Sequence, residues 1–276
     1  MTRDNGHPFR LGGDVERTAN VLITFTSDAS DTGAHTEMAY KKALAAAAGM
    51  ILATAAHAQA AGSNIVSLGW FRVMPNSSSD PLVVKSIGGI PVNQSQSGTG
   101  AKIQEADTVG LAFTHFFTDN IAVELVGGIP PRHKIEGTGA LSGYGEIGSA
   151  KQWSPAVLAK WYFFNADTKF RPYVGLGLNY TWFSDEKITN SAFQTKLAGP
   201  GSKSNVSTDG SLNPVLNVGA TYAITKDWFV GLSVSYLPLK TTATIDSTTA
   251  TGVHVVSEAK IKINPVVTFL NVGYRF

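Results

Sequence analysis

From Asn64 onward the chain alternates. Along Trp228–Leu239, Trp228, Val230, Leu232, Val234 and Tyr236 fall on one face, and Phe229, Gly231, Ser233, Ser235 and Leu237 on the other. A period of two is that of an extended strand, whose successive side chains point to opposite faces. Similar runs occupy Asn64–Met74, Asp107–Phe117, Asn120–Pro130, Trp153–Phe164, Arg171–Asp185, Leu212–Ile224 and Glu258–Phe276. No helical period of any length appears after Ser63. Eight runs are an even number that can close on itself.

The connections sort by length. Thr118-Asp119, Asn165–Phe170 and Thr225–Asp227 are tight turns carrying Asp, Asn or Lys. Pro75–Glu105, Pro131–Gln152, Glu186–Ser211 and Lys240–Ser257 are long and rich in Gly, Ser, Thr and Asn. Short turns at one end and long loops at the other predict an all-β, eight-stranded antiparallel up-and-down β-barrel. Soluble barrels share that topology, so the faces decide whether this one is transmembrane.

One face of each run is apolar: Val109, Leu111 and Phe113; Val157, Ala159, Trp161 and Phe163; Val174, Leu176, Leu178, Tyr180 and Trp182. The opposite faces hold small, polar or charged residues, too few to wet an outer surface but enough to fill a narrow lumen. Trp228 and Tyr236 cap their face at a spacing that projects to roughly 20 Å along a tilted strand, close to the apolar band of an outer-membrane barrel. Hydrocarbon requires every backbone polar group to be paired, which a closed barrel achieves. The apolar faces therefore meet lipid. Trp161, Tyr180, Trp182, Trp228, Tyr236, Tyr274 and Phe276 are expected to form the membrane girdle, and the final strand is expected to close the wall against the first.

Composition fits this reading. Only 15% of the 276 residues are charged and the formal net charge is +2, which gives no pull toward nucleic acid. Cysteine is absent, excluding disulfides, thiol nucleophiles and Cys-based metal sites. His115, His133 and His254 lie on different segments, and no catalytic constellation, metal site or cofactor motif is expected. The chain does not read as an enzyme.

Ahead of the barrel, Met38–Ala60 places Lys41 and Lys42 before an apolar centre, Ala43–Ala55, and a small-x-small end at Ala56-His57-Ala58. That is the layout of a secretory signal peptide, too short in its centre to span a bilayer. Residues 1–37 show no periodicity and read as a disordered extension upstream of the true start at Met38. The expected domains are thus 1–37 extension, 38–58 signal peptide and 59–276 barrel, and His7, Asp14, Glu16 and His35 belong to no site.

Two segments carry a family resemblance. "TDNIAVELVGGIPPRHKIEG" (Thr118–Gly137) and "FRPYVGLGLNYTWFSDEK" (Phe170–Lys187) resemble the OmpW family of small outer-membrane proteins, which includes AlkL-like channels. The closing "NVGYRF" (Asn271–Phe276) resembles the strand signal read by the outer-membrane assembly machinery. The resemblance implies a Gram-negative outer-membrane location, a narrow, largely apolar interior, passage of small hydrophobic molecules inward, and no catalytic residues. A barrel with a closed lumen whose loops bind partners is the alternative.

Several residues are candidates for function. Glu124 and Lys160 should meet inside the lumen as an ion pair, either structural or a plug. Pro130, Pro155, Pro214, Pro238 and Pro265 mark strand ends toward the long loops, where each removes a ladder donor. They suggest either plain fraying or a lateral opening toward the bilayer. Val83, Ile87 and Ile90 in the first long loop either line a ligand pocket with Leu212, Leu237 and Leu239 or pack the loop against itself. Arg132–Lys134 is expected at the outer rim, either as a solvated charge run or in contact with lipopolysaccharide phosphates.

Overall fold

The computed structural model describes residues 59–276, so the expected signal peptide and upstream extension lie outside the described residues. Strand β1 (Asn64–Met74) is followed by β2 (Ser78–Ser79), β3 (Val83–Ile87), β4 (Ile90–Ser95) and β5 (Thr99–Ile103). Next come β6 (Ala106–Phe116), β7 (Ile121–Gly128), β8 (Arg132–Gly139), β9 (Glu146–Trp153), β10 (Ala156–Tyr162) and the long β11 (Phe170–Ile188). A helix, α1 (Ser191–Ala198), precedes β12 (Lys203–Thr208) and β13 (Ser211–Ala223). Then follow β14 (Trp228–Tyr236), β15 (Lys240–Thr248), β16 (His254–Lys262) and β17 (Val266–Arg275).

Eight of these strands form a closed antiparallel ring in the order β1-β6-β7-β10-β11-β13-β14-β17 and back to β1. The closing ladder runs from Ile65↔Arg275 to Met74↔Val266. Phe276 extends it by donating its N–H to the Asn64 carbonyl at 3.1 Å. The last strand is thus held on both flanks, by β1 and by β14.

The faces are inverted relative to a soluble barrel. Leu68, Leu111, Leu125, Val157, Leu176, Leu216, Val218, Leu232 and Leu270 are exposed on the outside, whereas Ser67, Thr114, Glu124, Lys160, Asn179, Asn217 and Ser233 are buried inside. Trp161, Trp228 and Tyr274 stand outward toward the short-turn end, and Tyr180, Trp182 and Tyr236 stand toward the other. Two aromatic rows therefore bound an apolar band.

The long connections depart from the loops expected of them. Beyond the ring, β11 carries on to pair with β9, which pairs with β8 and then β5. Opposite, β12-β15-β16-β3-β4 form a second sheet. Their Ser and Thr content masks good strand formers: "KTTATIDST" and "HVVSEAKIK" alternate inward and outward as the wall does. The last expected run, Glu258–Phe276, is accordingly two strands, broken where Asn264 takes a left-handed conformation (φ 39°) and Pro265 lacks a donor. Trp153 likewise ends β9 rather than opening the fourth wall strand, because Ser154-Pro155 interrupts the run. The helix was not expected either. Asn190 caps it by accepting the Phe193 N–H at 2.9 Å, and the buried Phe193 pins it against Leu141 and Ile147.

Nitroxide labels report the faces directly. Labels at Leu232 and Val234 are expected to show high accessibility to oxygen dissolved in the acyl chains. A label at Ser233 should be shielded from it. The reverse pattern would mean the barrel is inside out.

Candidate functional site

The lumen is filled from the short-turn end upward. Arg171, almost fully buried, donates from Nη1 to the Gln59 carbonyl at 2.9 Å, and Gln59 Nε2 donates to Thr221 Oγ1 at 3.2 Å. The Arg171 guanidinium lies over the rings of Tyr162 and Phe116, 5.2 and 5.9 Å from their centroids. The Tyr162 ring packs between Phe116 and Tyr173, at centroid separations of 4.9 and 4.7 Å. Above them Lys160 Nζ sits 2.5 Å from Glu124 Oε1, and Glu124 Oε2 accepts from Thr114 Oγ1 at 2.9 Å. Lys160 also stands 4.3 Å from the Tyr173 ring centroid. Parity accounts for the ion pair: residues 160 and 124 occupy inward positions on adjacent strands, with Leu158↔Glu124 and Lys160↔Ala122 in register.

The next layer is a stacked pair, Phe71 and Phe269, with centroids 4.0 Å apart. Gly110 makes room for it, since a β-carbon there would lie 1.8 Å from Phe71 Cε2. Leu158, Val215 and Leu237 pack above. The floor is closed by a charged and aromatic stack.

Over that floor the wall changes. The β7–β10 ladder ends at Val126↔Ala156, and the next backbone link across this seam is Gln152 N–H to the Pro131 carbonyl, 3.0 Å. A cavity of about 380 Å³ lies at the seam, bordered by Val126–Pro131 on one edge and Gln152–Ala156 on the other. Leu237, Pro265 and Val267 form its back. Its polar flank is a chain of hydrogen bonds. Gln152 Nε2 donates to Ser154 Oγ (2.9 Å), Ser154 and Thr181 hydroxyls pair (2.8 Å), and Asn179 Nδ2 donates to the Pro155 carbonyl (3.0 Å). A second cavity, about 110 Å³, lies between the two outer sheets, walled by Ile103, Ile135, Phe183, Ile245 and Ile261 among others.

The candidate residues distribute unevenly over these features. Pro130, Pro155 and Pro265 border the seam cavity, joined by Pro131, while Pro214 and Pro238 do not line it. Pro214 sits on the outward face of β13 opposite Leu178. Of the expected ligand pocket, Leu237 lines the seam cavity and Leu239 is fully buried in the outer cluster. Leu212, Ile87 and Ile90 are exposed, and Val83 lines neither cavity. Leu212 shares the outward parity of Leu216 and Val218. Ile87 and Ile90 flank a two-residue turn, Gly88-Gly89 (φ 58° and 82°), that carries them to a hairpin tip. The walls of the outer cavity come instead from β5, β8, β9 and β11 on one side and from β15 and β16 on the other, strands whose Thr and Ser content made them read as loops.

Arg132, His133 and Lys134 do not act as one run. Arg132 and Lys134 point outward, whereas His133 is buried and its Nδ1 lies 2.8 Å from the Gln104 carbonyl. The carbonyl can only accept, so Nδ1 carries the proton of the neutral ring. Burial pushes the His133 imidazole below its ordinary value of 6.5 despite that bond.

Three measurements follow from this geometry. Lys160→Met leaves Glu124 charged and alone, at an expected cost of about 3–5 kcal/mol, while Lys160→Met with Glu124→Leu should recover most of it in urea titrations of vesicle-embedded protein. If the pair also seals the lumen, Lys160→Met raises ion conductance across planar bilayers; unchanged conductance assigns it a structural role alone. His133 is kept neutral by the fold, so its contribution is complete above about 6.5 and is lost as pH falls below that value. The loss should not exceed about 1.4 kcal/mol per pH unit. Amide exchange in β8 and β9, corrected for intrinsic rates, should therefore quicken between pH 7.5 and 5.5, and His133→Gln should flatten the change.

Residues 60–276 match the model of the OmpW family. Outer membrane protein W of Vibrio cholerae is 33% identical over 216 residues, 78% of this chain and 89% of that protein. Outer membrane protein AlkL of Ectopseudomonas oleovorans is 28% identical over 169 residues, 61% of this chain and 66% of that protein. The crystal structure of outer membrane protein OprG from Pseudomonas aeruginosa superimposes with a TM-score of 0.69 at 28% identity, covering 80% of this chain and 99% of that one. These relatives are outer-membrane barrel proteins of Gram-negative bacteria, and with a family model spanning the whole described barrel, the chain belongs to the OmpW family.

Proposed function

We propose that this barrel takes up small hydrophobic molecules passively and releases them sideways, through the β7–β10 seam, into the bilayer. The observation that carries the reading is the seam cavity standing directly above a closed floor. A solute entering from the long-connection end meets apolar walls, then the Phe71–Phe269 stack and the Lys160–Glu124 pair, which offer a hydrophobic molecule no onward aqueous path. Concave, mostly apolar sites with few polar groups suit hydrophobic ligands. Sideways exit keeps such a solute out of water, whereas exit through the floor would require passing a buried charge pair. The prolines favour the same route: Pro130, Pro131 and Pro155 supply no backbone donor along the two edges of the gap, so opening it breaks no ladder bond there. The lipid bilayer is the immediate recipient. Insertion would use the closing strand, Val266–Arg275, as the segment read by the assembly machinery.

A single thiol tests the route, because the chain has no cysteine of its own. Ser154→Cys places one at the seam. Uptake of a fluorescent hydrophobic probe into liposomes should continue in this variant, fall about tenfold after modification with a benzyl methanethiosulfonate, and return on reduction. Uptake unaffected by the modification would rule out exit at the seam. Absence of protein-dependent uptake in any form would favour the closed-lumen, partner-binding alternative.

A further inference from the structure

Outside the seam, on the wall's outward face, charge is gathered in a way the conduit does not use. Asp185 is approached by three cations. Arg132 Nη2 bonds Oδ2, Lys187 Nζ lies 2.7 Å from Oδ1, and Lys151 Nζ lies 3.6 Å from Oδ2. Three positive charges on one carboxylate leave a surplus of two. The neighbouring acids do not correct it. Glu146 is engaged by Lys134 at 3.2 Å, and Glu186 accepts from Thr208 Oγ1 at 3.0 Å. Hydrogen bonds from Lys187 and Arg132 hold the Asp185 carboxyl down to about 2, so the carboxylate stays charged at any physiological pH.

The gathering is built into the strand. Between Ser184 and Lys187 the β9–β11 register slips, and Asp185 adopts a left-handed φ of 53°. Bulges of this kind re-aim side chains, and a non-glycine residue held left-handed stores strain that surrounding contacts must sustain. Here the contacts are the three cations and Ser149, whose hydroxyl accepts from Arg132 Nη1 at 3.1 Å.

Depth identifies the occupant. Trp153 and Trp182 are cross-strand partners whose rings stack parallel, with centroids 5.7 Å apart. Lys151↔Ser184 is the pair two residues further out. Two residues along a tilted strand rise roughly 5 Å, which places the cations in the layer just above the outer aromatic row. Lys151 and Lys187 are respectively 43% and 61% exposed, so both ammonium groups stay accessible from that layer while paired with Asp185. In the outer leaflet, that layer holds phosphorylated headgroups.

We propose that Arg132, Lys151 and Lys187 form a binding site for a phosphate of lipid A, the membrane anchor of lipopolysaccharide, with its acyl chains lying along the Trp153–Trp182 pair. A phosphate offers several acceptor oxygens to cations already convergent on one point. Because Pro131 and Gln152 border the seam and adjoin Arg132 and Lys151 in the chain, the bound lipid would stand beside the lateral opening.

The full barrel in phosphatidylcholine nanodiscs can be titrated with lipid A carrying both phosphates, with dephosphorylated lipid A, with phosphatidylglycerol, and with inorganic phosphate. Bisphosphorylated lipid A should bind, weakening as salt is raised, and the dephosphorylated form should bind at least tenfold less. Lys151→Gln with Lys187→Gln should lose about tenfold in affinity. Lys169→Gln with Lys226→Gln, the same charge change at the opposite end, should lose nothing. Asp185→Asn should bind more tightly than the wild type, because it removes the internal competitor for the same cations; a merely structural cluster would instead be loosened. Equal loss in both lysine pairs, or weaker binding by Asp185→Asn in protein that still shows a folded barrel by gel mobility, overturns the assignment. So does displacement by millimolar inorganic phosphate or equal binding of phosphatidylglycerol.

Discussion

The backbone of a strand placed in hydrocarbon has no water to bond with, and each unpaired N–H or C=O there costs several kcal/mol. In this protein that constraint is met by one ladder above all, the β1–β17 pairing from Ile65↔Arg275 to Met74↔Val266. Without it the remaining strands are an open sheet with two edges in lipid. With it the period-two pattern acquires its meaning: outward residues are necessarily in lipid and inward residues are necessarily enclosed. The lumen chemistry is a consequence. Lys160 and Glu124 are tolerable only because closure excludes both lipid and bulk water from around them, leaving each as the other's main partner.

Closure also explains where the wall is permitted to fail. At the level of Lys160 the ladders are continuous on both sides of β10, and the lumen is packed with side chains. Higher up, the β7–β10 ladder stops at Val126↔Ala156, and Pro130, Pro131 and Pro155 occupy the edges of the gap. A proline at such an edge has no donor to strand in hydrocarbon, so the gap leaves fewer polar groups unsatisfied than other residues would. The outer sheets brace it from beyond the membrane: β9 continues from the gap's edge into pairing with β8 and β11. Rigid wall below and braced sheets above confine the irregularity to one seam.

Much of this was legible in the sequence because membrane strands must alternate, and alternation is a local property. The eight wall strands, their short turns, the inward parity of Glu124 and Lys160 and the outward parity of Trp161, Trp228 and Tyr274 all follow from period two. What was not legible depends on pairing between distant segments. "KTTATIDST" and "HVVSEAKIK" alternate too, but their inward positions include Thr241, Ser247 and Ser257, whose burial becomes evident only when a facing sheet is present. Ile87 and Ile90 looked like pocket walls by hydrophobicity, whereas the two glycines between them decide that they sit at a hairpin tip. Arg132, His133 and Lys134 looked like one basic run, yet alternation sends His133 inward, where burial disfavours its charge.

The charge cluster at Asp185 shows the same limit from the other side. Its members come from β8, β9 and β11, separated by up to 55 residues between Arg132 and Lys187, and only the register Arg132↔Lys151 and Lys151↔Ser184 brings them together. A barrel of this kind has two environments to satisfy at once, an apolar band that demands neutrality and a headgroup layer that rewards positive charge. The boundary between them is drawn within a few residues of strand: Trp153 and Trp182 on one row, Lys151 on the next. Because the seam ends at that same boundary, a solute leaving sideways as proposed would enter the bilayer beside the cluster of Arg132, Lys151 and Lys187. Under the two proposals together, a lipid held there is part of the exit, and the composition of the outer leaflet is a variable of transport.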